Sequence, residues 1–249
     1  MYLLKVLLLG LGVSVNSGVS LQKRIIGGRN CENTERLFHV RLESSRSSNE
    51  RIRCGGSLID PEWILTAAHC WKPGWINEAM LEVHPQTARQ QSQVIRDRPV
   101  IYTRSRRDHD IALVKLHTPV SGVPLARLSD CRYRLKVGDT VHLAGEGETT
   151  AGPNNQRLPI IPPIPANLQC VDMNVVAVSL FIVPYGHVFR AEAPNKDICY
   201  ADTGGAAIYN GKIYGVIALS GELAYQSPAT IMDVCKYKDW IKRTIRRGK

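Results

Sequence analysis

Short apolar runs, several alternating with polar positions, recur through most of the chain, and Gly, Pro, Asn and Asp stand between them. Phe38-His39-Val40-Arg41-Leu42, Ile111-Ala112-Leu113-Val114-Lys115-Leu116 and Ile213-Tyr214-Gly215-Val216-Ile217-Ala218-Leu219 are typical. A period of two bounded by turn-forming residues predicts strands. Only Lys236 to Arg247 has helical spacing, with Trp240, Ile241 and Ile245 on one side and Lys238, Lys242, Arg243, Arg246 and Arg247 over the rest. The pattern therefore predicts an all-β protein with a C-terminal α-helix. Between Gly152 and Pro165, Pro153, Pro159, Pro162, Pro163 and Pro165 exclude helix and central strand and predict a stiff surface loop. With 44% apolar and 22% charged residues the chain can bury a core, so it is not disordered as a whole, and 249 residues allow one large domain or two smaller ones. No internal repeat, low-complexity tract or disordered linker divides it.

The N-terminus changes the chemical setting. After Lys5, residues Val6 to Val13 form a short apolar run that ends in the small and polar Ser14-Val15-Asn16-Ser17-Gly18. That is a secretory signal over residues 1–17, and it is far shorter than the ~20 apolar residues that span a bilayer. The protein is expected to be secreted and extracellular, with no membrane span. In an oxidising compartment cysteines pair with each other, and no C-x-x-C occurs to suggest a metal or redox site. The count of seven leaves one cysteine outside any intramolecular scheme.

Four further segments carry chemistry. They are Lys23-Arg24 before Ile25-Ile26-Gly27-Gly28; Cys54-Gly55-Gly56-Ser57-Leu58-Ile59 followed by Leu65-Thr66-Ala67-Ala68-His69-Cys70; Asp110-Ile111-Ala112-Leu113; and Asp197-Ile198-Cys199-Tyr200-Ala201-Asp202-Thr203-Gly204-Gly205. In this order and at these spacings the chain resembles the chymotrypsin–trypsin family of secreted serine proteases, from Ile25 to the C-terminal helix. The resemblance implies a trypsin-like domain over 25–249. Two six-stranded antiparallel β-barrels, about 25–125 and 126–235, would enclose the active site between them, and a helix over 236–247 would pack outside. Such a site needs a nucleophilic hydroxyl, an imidazole to take its proton, a carboxylate to orient the imidazole and backbone N–H groups where the oxyanion forms. Matched by motif, His69 is the general base and Asp110 its orienting carboxylate. His39, His84, His109, His117, His142 and His187 match no motif and are expected to be structural.

The nucleophile position departs from the family: Thr203 stands where the motif has serine, and Ala201 where it has glycine. Threonine keeps a hydroxyl, but its branching restricts the rotamer and adds a methyl where the imidazole and the incoming carbonyl must fit. Alanine keeps the N–H that, with that of Thr203, would bind the oxyanion. If the backbone there is one that a Cβ disfavours, that donor turns away. The resemblance places the substrate pocket at Asp197, Ala218 and Ser220, with Asp197 as the acidic base for an Arg or Lys side chain. Ala218-Leu219-Ser220 replaces the usual Ser-Trp-Gly, and Ala229 replaces a glycine, which narrows the pocket. Asp197 either binds a basic side chain or remains as a solvated carboxylate in a partly filled pocket.

The family pattern also implies disulfides Cys31–Cys170, Cys54–Cys70 and Cys131–Cys235. The partner expected for Cys199 falls at Glu222, so Cys199 is either a buried free thiol or an intermolecular link, and Val141 and Arg190 stand where cysteines are common. Residues 18–24 would be an activation peptide. Cleavage after Arg24 by an activating protease would release the Ile25 amine to pair with Asp202, a zymogen switch.

The formal charge of +10 becomes +7 once Lys5, Lys23 and Arg24 are removed, and Lys236 to Lys249 holds seven basic residues against one acid. Arg96, Arg98, Arg104, Arg106 and Arg107 form a second cluster close to Asp110. The helix is either a solvated charged face or a site for a heparin-like polyanion. Nucleic acid is excluded by the absence of any accompanying motif and by secretion. No cofactor or metal is expected, since no acidic cluster between His69 and Asp110 makes a calcium loop. Two functions follow: a protease homologue with a degenerate His69-Asp110-Thr203 triad that binds a protein or peptide ligand containing Arg or Lys, or an active endopeptidase that cleaves after Arg or Lys.

Overall fold

The protein is described from a computed structural model, which covers residues 25–147, 153–156, 164, 166–219 and 223–248. The signal and activation segments, Ser220, Glu222 and most of the proline-rich loop lie outside the described residues. In chain order the strands are β1 (Arg29–Asn30), β2 (His39–Ser45), β3 (Arg51–Asp60), β4 (Trp63–Thr66), β5 (Ile76–Leu81), β6 (Gln91–Val94), β7 (Val100–Arg104), β8 (Arg107–Lys115), β9 (Thr140–Gly145), β10 (Gln169–Ile182), β11 (Gly186–Glu192), β12 (Ala206–Tyr209), β13 (Lys212–Leu219) and β14 (Ala229–Asp233); α1 (Lys238–Arg247) follows.

The strands form two antiparallel sheets. In the C-terminal half β10, β11, β14, β13, β12 and β9 pair in turn, and β9 also pairs with β10, which closes the expected six-stranded barrel; β1 adds to the outer edge of β10. The N-terminal half is a sheet of seven strands in the order β6-β5-β2-β3-β4-β8-β7. It exceeds the expected six because the β7–β8 hairpin and the short β6 both extend its edges. Alternation explains the interior. Val40 and Leu42 of β2 join Leu58, Ile64, Leu65, Ile111 and Leu113 in one core, while Val141, Leu143, Val171, Met173, Phe189 and Ile231 fill the other.

The opposite face of β2 is also buried, and there polar chemistry takes over. Arg41 sends Nε and Nη2 to the two oxygens of Glu146, at 2.5 and 2.7 Å, with both side chains almost wholly out of solvent. The pair joins the two halves across 105 residues of sequence. Such a pair is held by both partners together, because either charge alone would be buried without compensation.

Three disulfides form as the family pattern implied: Cys31–Cys170, Cys54–Cys70 and Cys131–Cys235. Cys199 lies outside them and is buried. The helix begins two residues later than expected. Val234–Lys236 makes a 3-10 turn instead, because the Asp233 carboxylate accepts Cys235 N–H and Cys235 is tied to Cys131. Tyr237 then precedes α1 and is buried, its hydroxyl bonded to His109 Nδ1 and accepting His187 N–H, each at 2.8 Å. No described helix is long and apolar enough to cross a membrane.

Candidate active site

His69 sits in a single 3-10 turn, Ala68–Cys70, just past β4, and the Cys54–Cys70 bridge fastens that turn to β3. Asp110 lies on β8, nearly buried, with its N–H donated to Tyr185 O. Its carboxylate does two jobs. Oδ1 accepts His69 N–H at 2.9 Å, and Oδ2 meets the ring Nδ1 at 2.8 Å. A carboxylate there places the ring proton on Nδ1 and leaves Nε2 as an acceptor. Nε2 faces Thr203 Oγ1 at 3.2 Å. The three side chains that the sequence singled out are thus brought together, from the turn after β4, from β8 and from the turn before β12.

The backbone around Thr203 has a different character. Residues Tyr200–Asp202 form a 3-10 turn, and the carbonyl of Tyr200 accepts both donors of Thr203: the hydroxyl at 2.8 Å and the backbone N–H at 3.3 Å. Two consequences follow from elementary geometry. A threonine has one hydroxyl proton, so the shorter bond to Tyr200 O competes with the longer approach to His69 Nε2. A trans peptide is planar with its N–H opposed to its C=O, so a Tyr200 carbonyl aimed at Thr203 turns the Ala201 N–H away from it. Neither of the two expected oxyanion donors is presented together with the other.

Asp202 anchors the turn from beneath. It is fully buried, with Oδ2 accepting Cys199 N–H at 2.6 Å and Oδ1 accepting Gly147 N–H at 2.7 Å. A Cβ on either Gly145 or Gly147 would strike this carboxylate, so two glycines flanking Glu146 make its cradle. Loss of solvent, opposed only partly by those N–H groups and reinforced by Asp197 and Glu146, pushes its pKa up to about 7. Ile25 is buried among Ile198, Ile217 and Leu143 of the same barrel, and Ile26 bridges to Asp197, whose N–H donates to Ile26 O at 3.0 Å.

Asp197 is also buried. Its carboxylate accepts Ile198 N–H and Tyr225 N–H, each at 2.7 Å, so two backbone donors stand where a substrate cation was expected. Burial, and next the Asp197 charge, pushes the Tyr225 hydroxyl pKa up. Ala218 is fully buried at the end of β13, and Leu219 beside it faces a cleft of about 410 Å³ with His69, Asp110, Pro184 and Tyr185. Ser220 and Glu222 fall outside the described residues. Sequence reasoning missed Tyr200, whose contribution is a carbonyl, and the Arg41–Glu146 pair. The run Gly145-Glu146-Gly147 was the one signal of a close approach there.

Comparison with known proteins agrees with the fold. The family model described as "Trypsin" matches residues 25–241. Among curated relatives, Kallikrein-14 of Homo sapiens is 27% identical over 99% of this chain and 93% of its own length. Anionic trypsin of Canis lupus familiaris is 28% identical over 94% and 95%, and Beta-fibrinogenase brevinase of Gloydius blomhoffii is 31% identical over 89% and 96%. The solved structure of neuropsin, a serine protease expressed in the limbic system of mouse brain, has a TM-score of 0.70 at 23% identity and covers 89% of this chain and 100% of its own.

Proposed function

Because this chain belongs to the trypsin family of serine proteases, we propose that it is a secreted member that binds a peptide or protein ligand and hydrolyses it poorly. The observation that carries this is the Tyr200 carbonyl, which takes both the N–H and the hydroxyl of Thr203. Acyl transfer needs the hydroxyl proton on its way to His69 and two N–H groups converging on the developing oxyanion. In this chain the first is shared and the second pair diverges. Loss of one oxyanion donor lowers turnover by ~100 to ~1,000-fold, and the methyl of Thr203 crowds the same space.

The ligand would enter the cleft beside Leu219 and direct an Arg or Lys side chain toward Asp197, exchanging the Tyr225 and Ile198 donors for a cation. The switch is a zymogen's. Cleavage after Arg24 by another protease would turn the Ile25 amide into an ammonium beside the buried Asp202. Export by residues 1–17 and a polyanion contact on α1 complete this assignment.

The second possibility, a working endopeptidase cleaving after Arg or Lys, is favoured by the alignment of Asp110, His69 and Thr203 at 2.8 and 3.2 Å. Hydrolysis of an arginine ester by protein cleaved after Arg24 separates the two. The Thr203→Ser/Ala201→Gly double variant should exceed the parent by ~100-fold or more. Parent turnover within about tenfold of the double variant would overturn the binding function.

A further inference from the structure

Arg41 of β2 is paired directly with Gly55 of β3 and, on its other side, with Met80 of β5. Residues opposed across two strands share a face, so the guanidinium and the bare Gly55 backbone both front the C-terminal half. Each holds something there. Gly55 N–H donates to Thr203 O at 2.7 Å, and a Cβ on Gly55 would come within 2.9 Å of Gly205 N. The Arg41 fork closes on Glu146 at 2.5 and 2.7 Å.

Glu146 stands where the sheet ends. Gly145 is the last residue of β9 in register with β10, and two residues on Gly147 N–H donates to Asp202 Oδ1 at 2.7 Å. Neither glycine can take a side chain, because a Cβ on either would strike the Asp202 carboxylate. Within the run Gly145-Glu146-Gly147 only Glu146 can be fastened through its side chain, and Arg41 takes both of its oxygens. A guanidinium fork fixes the plane of a carboxylate as well as its position. Through the one intervening peptide that fork aims Gly147 N–H at Asp202.

Stability alone would not call for this alignment. Replacing a buried ion pair by apolar side chains of similar volume is often neutral or stabilising, but apolar side chains cannot set the direction of a backbone N–H. We propose that Arg41 is a positioning residue for the Thr203 turn. With Gly55 it lets the N-terminal half clamp that turn at two points, Thr203 O and, through Glu146 and Gly147, the Asp202 carboxylate. The inference rests on the assignment of Asp202 as the partner of the Ile25 ammonium, and it gives that switch a second control. With Gly147 adrift, Cys199 would be left alone of the two N–H groups that orient Asp202, and cleavage after Arg24 would no longer order the turn.

Amide exchange of the chain cleaved after Arg24 tests it. In Arg41→Met/Glu146→Leu, which leaves no charge of the pair buried alone, the Gly147 and Cys199 amides should exchange ~10-fold faster or more. Amides in the middle of β10 should keep their protection, and Tm should stay near that of the parent. Parental exchange at Gly147 and Cys199 in that variant would overturn the proposal and leave the pair a stabilising contact only. Arg41→Lys keeps the charge and loses the fork, and the same exchange is read in it should the double replacement not fold. In the Thr203→Ser/Ala201→Gly protein, Arg41→Lys should lower kcat for an arginine ester by ~10 to ~100-fold with KM within about twofold, because Asp197 is not disturbed. An unchanged kcat, or a loss confined to KM, would also overturn it. If the Thr203→Ser/Ala201→Gly protein does not hydrolyse the ester at all, the proposed cause of poor hydrolysis falls, and the exchange result decides Arg41 by itself.

Discussion

Lowering the pH on the uncleaved chain titrates a carboxyl group that the fold has stripped of solvent. Asp202 has its two oxygens on Cys199 N–H and Gly147 N–H, no exposed surface, and Asp197 and Glu146 as like-charged neighbours. Its folded pKa of about 7 lies above the ordinary 3.8, so the folded state binds this proton more tightly than the unfolded chain does. The destabilising contribution is therefore fully present above pH ~7, is relieved as the pH falls, and is gone below 3.8. That gap corresponds to about 4 kcal/mol, of which about 2–3 kcal/mol falls between pH ~7.5 and ~5.

His39 works in the opposite direction. Burial above all lowers its pKa from 6.5 to about 4, so its contribution is present above 6.5 and is lost as the pH falls toward 4. Over the same interval that loss is about 2 kcal/mol, so the two oppose each other and the absolute profile does not report Asp202 by itself. The informative quantity is a difference. In an uncleavable Arg24→Gln background, adding Asp202→Asn should remove the rise and expose the His39 fall. The Tm difference between the two proteins should then change by ~5–10 °C from pH ~7.5 to ~5 in a domain of this size. In protein cleaved after Arg24 the new Ile25 ammonium should lower the Asp202 pKa and shrink that change. Parallel pH profiles for Arg24→Gln with and without Asp202→Asn would refute a buried, uncompensated Asp202.

Three other outcomes are expected. Glu146→Gln or Arg41→Met should each cost about 3–5 kcal/mol in urea unfolding, because one buried charge is left alone; Arg41→Met/Glu146→Leu together should recover most of it. Tyr237→Phe removes two hydrogen bonds, to His109 and His187, and should lower stability by about 1–3 kcal/mol without altering the His69–Asp110 geometry. Asp197→Asn should weaken an arginine-containing peptide by ~10 to ~100-fold in a binding isotherm, whereas equal affinity would mean that the carboxylate serves internal donors such as Tyr225 and Ile198 and not the ligand.

What the sequence made legible was carried by side chains in local motifs. His69 and Asp110 were readable because the short runs around them resemble a family's motifs, and the same resemblance implied the disulfides; the structure brings the two side chains together and forms those bridges. The Arg41–Glu146 pair was not readable, since its members are 105 residues apart and each looks like an ordinary surface charge until the two halves meet. The tip of the β7–β8 hairpin escaped for a different reason: Ser105-Arg106 has none of the Gly or Asn that marks such a turn, so only the backbone reveals it. The late start of α1 depends on Asp233 capping Cys235, a contact that helical periodicity does not encode.

The two substitutions at the turn act on one peptide. Gly205 N–H bonds to Asp202 O, and Gly55 N–H to Thr203 O, so the segment after Asp202 is fixed. The Asp202 carboxylate holds Cys199 N–H, so the segment before Tyr200 is fixed as well. Only the Tyr200–Ala201 peptide between these anchors is left to rotate. Its present orientation is held by two bonds to Thr203, each worth about 1 kcal/mol net. Turning it to present an N–H to an oxyanion would therefore cost about 2 kcal/mol, a penalty of ~30-fold in population. Ala201→Gly widens the backbone choices of that peptide but leaves both bonds in place. Thr203→Ser removes the methyl but keeps a hydroxyl that can still bond to Tyr200 O. Neither single change should restore turnover by much more than tenfold, and the pair should exceed the product of the singles, because one widens the backbone choices of the peptide while the other makes room for what it must bind.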